Sequence, residues 1–344
     1  MLVGEARAAA KEWVSASAAR MPGFRGAFFS GSTAALLPDS ILSNESDVDV
    51  VVVVASSNGP PKLGKFRYED ALLDVSYLPW NQLAHLDKVA RSYQLAPSFS
   101  SNQVIADPTG HLDRLYRAIS AGFADPEAVR RRCESAITKL ESGLAAIDST
   151  AVWHEQVTAW MFPTSITTHV VLVAALRNPT VRLRYLAARE VLYEHEKDAL
   201  YETLLELLGC ADCDRPCVQR HLDELSEVFD QAVAVAKTPF SFSGDITPDG
   251  RPVAIDGSQQ LIDNGDHREA VFWLIATYVR CQKILSADAP PSLRHPGSLR
   301  FCSAVRELLG VHDIAGLFRR RDALSKLLPV LSDAAASITN RSGS

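Results

Sequence analysis

Ser46-Asp47-Val48-Asp49-Val50-Val51-Val52-Val53-Val54 is the stretch on which the fold turns. Side chains branched at Cβ favour strands. An apolar run that does not alternate with polar residues marks a strand covered on both faces. The two acids stand at the start of the run. Residues i and i+2 of a strand share a face, so Asp47 and Asp49 project together.

Working outward, Gly26-Ala27-Phe28-Phe29-Ser30 reads as a short apolar strand, Gly31-Ser32-Thr33 as a turn, and residues 33–37 as a short helix stopped by Pro38. Leu2, Ala6, Ala9, Ala10 and Trp13 lie near helical spacing, so residues 1–20 are expected to form a helix that Met21-Pro22-Gly23 ends. Downstream, residues 56–61 read as a loop and residues 65–78 as a strand or strand pair ending in Leu72-Leu73-Asp74-Val75-Ser76-Tyr77-Leu78. Residues 83–93 and 112–123 read as helices, with a strand end and turn over 105–110. From about Asp125 the pattern becomes helical: 126–147, 151–176 with a kink or split at Pro163, 180–208, 216–237, 267–286, 299–309 and 313–338. Residues 240–266 form a connection expected to hold a hairpin or an ordered loop. The expected architecture is α/β plus all-α: a small mixed-sheet domain over 1–125, then a helical bundle over 126–344.

The composition of the 344 residues is that of an ordinary globular chain, 47% hydrophobic and 22% charged, with a net charge of -6. That balance disfavours a generic nucleic-acid surface, which needs a basic patch, and favours a small-molecule partner. No apolar run of 18 residues stands out, and the acids near the start argue against a signal peptide, so no membrane is expected. Six dispersed cysteines are sparse for a disulfide framework and point to a reducing cytoplasm. The oligomeric state is open.

Asp74 lies inside a third apolar strand about one hairpin after Asp47 and Asp49. If that strand lies beside the valine strand, three carboxylates meet at one edge of the sheet. Such a cluster is costly without a cation, and hard oxygen ligands suit Mg²⁺. Two ions roughly 3.5–4 Å apart could then clamp the attacking and leaving oxygens of an in-line displacement. Gly31 lets the backbone approach a phosphate, and a helix starting after it would offer free N–H groups.

These elements, Gly31-Ser32, Ser46-Asp47-Val48-Asp49 and Leu73-Asp74-Val75, resemble the DNA-polymerase-β-like nucleotidyltransferase superfamily, and within it the aminoglycoside-type enzymes with a helical C-terminal domain. The resemblance covers about residues 20 to 110. It implies that Asp47, Asp49 and Asp74 bind Mg²⁺, with Asp74 alternatively serving as the base. It implies that Gly31 and Ser32, with Ser46 of the same motif, hold the nucleotide. The activity implied is transfer of a nucleoside monophosphate, AMP first among them, from an NTP such as ATP to a hydroxyl of a small acceptor, an aminoglycoside or a sugar-like metabolite. The acceptor would be held by the helical half, across a cleft from the NTP. Two departures stand out: the second glycine common after the Gly-Ser pair is missing from Thr33-Ala34-Ala35-Leu36-Leu37, and the span from Ser32 to Asp47 is long. Two other readings remain: a non-catalytic nucleotide-binding or antitoxin-like protein of the same fold, and a transferase acting on RNA or a protein side chain.

Weaker signals lie in the helical half. Cys210, Cys213, Cys217 and His221 have the spacing of a zinc site, although cysteines also fill helix contacts. Glu190, Glu194, His195 and Glu196 on one helix, Arg182, Arg184 and Arg189, and Trp153, His154 and Glu155 are candidates for acceptor contact or for plain surface; His267, Arg268 and Trp273 are weaker ones. Asp107-Pro108-Thr109-Gly110 reads as a turn and Arg319-Arg320-Arg321 as a solvated face.

Overall fold

The computed structural model describes residues 1–57, 60 and 62–342, with nothing said of the Ser342 side chain. Part of the loop expected over 56–61 therefore lies outside the described residues. The chain divides into two units, one of residues 1–132 and 240–253, the other of residues 133–239 and 254–344. The expected contiguous division at 125/126 differs in one respect that matters: residues 240–253 return to the first unit.

In the first unit, helix α1 (Val3–Ala16) precedes strand β1 (Phe24–Ser30), and β2 (Val48–Val54), β3 (Gly64–Tyr68) and β4 (Ala71–Pro79) follow. Helix α2 (Leu86–Arg91), strand β5 (Val104–Ala106) and helix α3 (His111–Ala121) complete it. The mixed sheet runs β3-β4-β2-β1-β5. Only β2 and β4 pair in parallel among these neighbours. The valine strand is central, as its apolar run requires. Val48, Val50 and Val52 bury against α1 through Val3, Ala6, Ala10 and Trp13. Val53, on the other face, joins Phe28, Leu83, Phe99, Leu112 and Leu115 under α2 and α3. Full burial of one such side chain contributes about 1.5–3 kcal/mol, so the two layers fix the register: a one-residue slip would reverse every valine.

β3 and β4 form a hairpin whose two-residue turn, Glu69-Asp70, has φ of 45° and 64°. Both values match the turn type whose twist suits a tight hairpin. The helix expected over 33–37 is only a 3₁₀ turn, Ser32–Ala35. The run before Pro38 is too short for an α-helical nucleus, so the expected helix start for a phosphate is corrected. The helix expected over 83–93 is likewise shorter, with a 3₁₀ turn at Trp80–Gln82 before it.

The second unit is helical. Helix α4 (Pro126–Ala145) leads into it. Then come α5 (Trp153–Thr164), α6 (Ile166–Ala174), α7 (Arg184–Glu194), α8 (Asp198–Leu208), α9 (Arg215–Val235), α10 (Gly257–Asp263), α11 (His267–Asp288), α12 (Pro291–Leu309) and α13 (Ile314–Ser342). The core strings together Trp160, Tyr185, Tyr201, Phe229, Phe272, Tyr278 and Phe301. Every residue of α11 from Glu269 to Val279 is buried, as for a helix enclosed on all sides. Pro163 and Ser165 divide the expected 151–176 helix. Trp153–Ala174 is apolar and long enough to cross a membrane by composition, which qualifies the expectation of no such run; 78% of its most apolar window is buried inside the protein. The single helix expected over 180–208 is corrected to two, because Glu196 adopts φ 56°. Of the hairpin or ordered loop expected over 240–266, the hairpin is not formed: that stretch holds a 3₁₀ turn at Ser243–Asp245, a π turn at Pro252–Asp256 and α10.

Candidate functional site

Register assembles the carboxylates. The Glu69-Asp70 turn sets Lys65 opposite Asp74, the parallel pairing sets Asp74 beside Asp49, and the antiparallel pairing sets Asp49 beside Ser30. Directly paired residues share a face of the sheet. Lys65, Asp74, Asp49 and Ser30 therefore form a row across β3, β4, β2 and β1, on the face opposite α1. Asp47 precedes β2 by one residue and joins the row from that end.

Gly31 ends β1 at φ 69°, and a Cβ there would overlap the Asp49 carboxylate. Both the left-handed backbone and the close approach require glycine. Ser32 is exposed at the start of the 3₁₀ turn. Ser46 points its hydroxyl to that of Ser43 at 2.9 Å. Ser98 donates to Ser30 at 3.2 Å, tying the end of the row to the segment before β5.

Three further residues complete the cluster. Lys65 is 7% exposed, and its ammonium lies 2.6 Å from Asp74 Oδ2, 2.9 Å from Asp47 Oδ2 and 3.1 Å from Asp245 Oδ1. Lys62 reaches Asp74 Oδ2 at 2.9 Å. Asp245 arrives from the 240–253 segment because two glycines touch: a Cβ on Gly64 would stand 2.5 Å from the Gly244 Cα. Among the described residues Asp47, Asp49, Asp74 and Asp245 thus gather around the Lys62 and Lys65 ammonium groups. Burial, then the charges of Asp47 and Asp74, hold the Asp49 carboxyl well above its ordinary range, and Lys65 and Lys62 offset only part of this. Burial alone would lower the Lys65 ammonium, but Asp47, Asp245 and Asp74 outweigh it and push it up. Asp74 Oδ1 is buried with no hydrogen-bond partner.

Lys65 stands between Asp47 and Asp74 and holds the aspartates wider than a closed ligand set. Among the described residues the one metal-capable trio with all ligand atoms within 4.8 Å is Cys217, His221 and Glu307. Of the four residues with zinc-like spacing, Cys217 and His221 belong to this trio, and Cys210 and Cys213 lie outside it. Burial drives the Cys210 thiol up, and Cys213 Sγ donates to the Leu308 carbonyl at 3.4 Å.

The remaining candidates separate. Trp153 and His154 line a groove of about 480 Å³ with Gln282, Arg294, His295 and Phe301, whereas Glu155 pairs with Lys283 at 3.1 Å. Glu194 ends α7 and pairs with Arg177, so it shares no helix with Glu196. Arg189 pairs with Asp266 and Glu269, Arg268 with Glu202, and Arg184 is buried and donates to Ser165. Arg182 donates to the Gly257 carbonyl and His267 pairs with the Cys213 carbonyl. Trp273 is buried beneath Arg280. Arg320, expected on a solvated face, turns inward to the Glu206 and Leu207 carbonyls. Asp107 caps the start of α3 through the His111 and Asp113 amides.

No family model matches the chain, and no curated protein matches it. Among solved structures it is similar to a nucleotidyltransferase-like protein from Exiguobacterium sibiricum 255-15. The identity is 14% and the TM-score 0.28, over 75% of this chain and 91% of that one. A likeness that distant leaves the chemistry to be argued from the residues of this chain.

Proposed function

We propose that the protein is a nucleotidyltransferase, moving a nucleoside monophosphate, AMP in the first instance, from an NTP to a hydroxyl of a small acceptor of the aminoglycoside or sugar-like class. The observation that carries this reading is the Asp74–Asp49 row beside Asp47 and the Gly31 turn. The residues fit Mg²⁺: the donors are hard carboxylate oxygens, and Asp74 Oδ1 is a buried acceptor with nothing donating to it. Asp47 and Asp49, completed by Asp74, would hold the metal, which would neutralise the triphosphate and favour in-line displacement.

The chain's own groups do the rest. The bare Gly31 backbone makes room for the Asp49 carboxylate, and Ser32 and Ser46 would serve as hydroxyl donors to the phosphates. Lys65 keeps Asp47 and Asp74 oriented, and Lys62 and Lys65 supply fixed positive charge beside the triphosphate. The acceptor oxygen forms its bond to the α-phosphorus, pyrophosphate leaves with the electron pair, and the acceptor proton passes to solvent. Fixed charge and positioning of this kind account for most of the rate in such transfers. An acidic site suits a cationic acceptor, which places aminoglycosides first.

The test is incubation with Mg²⁺, each NTP in turn and a pool of small hydroxylated acceptors, with adducts read by mass spectrometry. A mass gain of one nucleoside monophosphate, lost in Asp49→Asn, supports the assignment. No adduct and no pyrophosphate with any NTP removes it.

A further inference from the structure

We infer that Cys217, His221 and Glu307 form a binding site for a zinc-class transition metal in the helical unit, independent of the aspartate row and of any nucleotide chemistry. Cys217 and His221 are four residues apart on α9, which puts them on one face of the helix. Glu307 comes from α12. Their ligand atoms all lie within 4.8 Å of one another. Zinc with bonds of about 2.0–2.3 Å spaces tetrahedral ligands roughly 3.3–3.8 Å apart, so modest side-chain rotations close the set.

His221 points independently to a ligand. The residue is 0% exposed, and neither ring nitrogen makes a directed hydrogen bond. Buried polar atoms are rarely left in that state. Nε2 faces Glu307 at 3.4 Å and Nδ1 faces Glu224 at 3.3 Å. With Nε2 on a metal, Nδ1–H can donate to Glu224, the support that metal-bound histidines usually have. Ser303 donates to the other oxygen of Glu307 at 2.6 Å and orients it. Cys217 and Glu307 are partly open to water, which gives the ion an entry.

Arg220 is the group that stands where the metal would. It donates to Glu307 Oε2 and approaches Cys217 Sγ at 3.7 Å, and it has a second carboxylate, Glu224, at 3.6 Å. Metal entry transfers Arg220 to Glu224 or to water, and the Cys217 proton leaves to solvent as the thiolate binds. Water fills the fourth position. A sulfur-nitrogen-oxygen set prefers zinc or cobalt to magnesium, so Mg²⁺ does not compete here.

The test uses the full chain, with zinc content by elemental mass spectrometry, affinity by competition against a chromogenic chelator, and the absorption spectrum after Co²⁺ addition. One zinc per chain and a thiolate-to-cobalt band are expected. Cys217→Ser removes the band and weakens zinc binding on the order of 100-fold, Cys210→Ser leaves both intact, and Arg220→Gln tightens binding because its competing charge is gone. Absence of stoichiometric zinc overturns the inference, as does a cobalt spectrum unchanged in Cys217→Ser. If Cys217→Ser fails to fold by circular dichroism, Arg220→Gln decides: tighter binding supports the site, and equal or weaker binding overturns it.

Discussion

Replacing Asp49 by asparagine should make the protein more stable at neutral pH. Asp49 sits beside Asp74 on a neighbouring strand. Strands lie about 4.8 Å apart, so the repulsion of two charges at that spacing is about 3.5 kcal/mol at an effective dielectric of about 20. Lys65, one strand further at roughly twice the distance, returns about half of it. Asp49 is partly exposed, which screens both, so the variant should gain about 1–2 kcal/mol at pH 7. The sign follows from the Asp49 carboxyl, held well above its ordinary range by burial and by Asp47 and Asp74. A group with a raised carboxyl pKa favours folding when protonated, and that contribution is lost as pH rises through its folded value. Asparagine mimics the protonated form permanently. The gain should therefore be largest above the raised value, shrink as pH falls through it, and vanish near the unfolded carboxyl value of about 3.9. Urea unfolding of both proteins across this range is the assay. A variant no more stable than the parent at pH 7, or a gain that does not shrink with acid, would refute the electrostatic picture.

Lys65→Met leaves Asp47, Asp74 and Asp245 around an apolar chain. Its unfolding free energy in urea should fall by about 3–5 kcal/mol, with part of the loss restored by millimolar Mg²⁺; a loss indifferent to Mg²⁺ would argue against cation capture by the row. Gly31→Ala puts a Cβ onto the Asp49 carboxylate; displacing a reacting group by about 1 Å can cost roughly 100-fold in rate, so transfer assays should show a comparable fall with little change in the fold. Gly64→Ala combines φ 80° with a Cβ 2.5 Å from Gly244, and should cost about 1–3 kcal/mol while exposing residues 240–253 to limited proteolysis.

What the sequence revealed of this site follows the range of the contacts. The valine run is a local signal, and its acids at i and i+2 fall on one face by strand geometry alone. Asp74 was legible as an acid inside an apolar strand, but its place beside Asp49 comes from the parallel pairing of β4 with β2, which no local turn fixes. The tight Glu69-Asp70 turn sets Lys65 opposite Asp74, a register that follows from the turn type. Asp245 was out of reach: it meets Lys65 across 180 residues, through a contact between Gly64 and Gly244 that neither glycine announces locally. The helix over 180–208 breaks at Glu196, whose left-handed backbone has no signature in its residue type. The cysteine and histidine spacing found Cys217 and His221 but not Glu307, which another helix supplies.

The central claim is that the aspartate row captures a divalent cation together with a triphosphate. Titration of a non-hydrolysable ATP analogue by calorimetry, with and without Mg²⁺, tests it in the parent protein and in Asp49→Asn. Binding should require Mg²⁺ in the parent and be lost in the variant although the variant is folded. Binding that is independent of Mg²⁺, or equal in the two proteins, would contradict it.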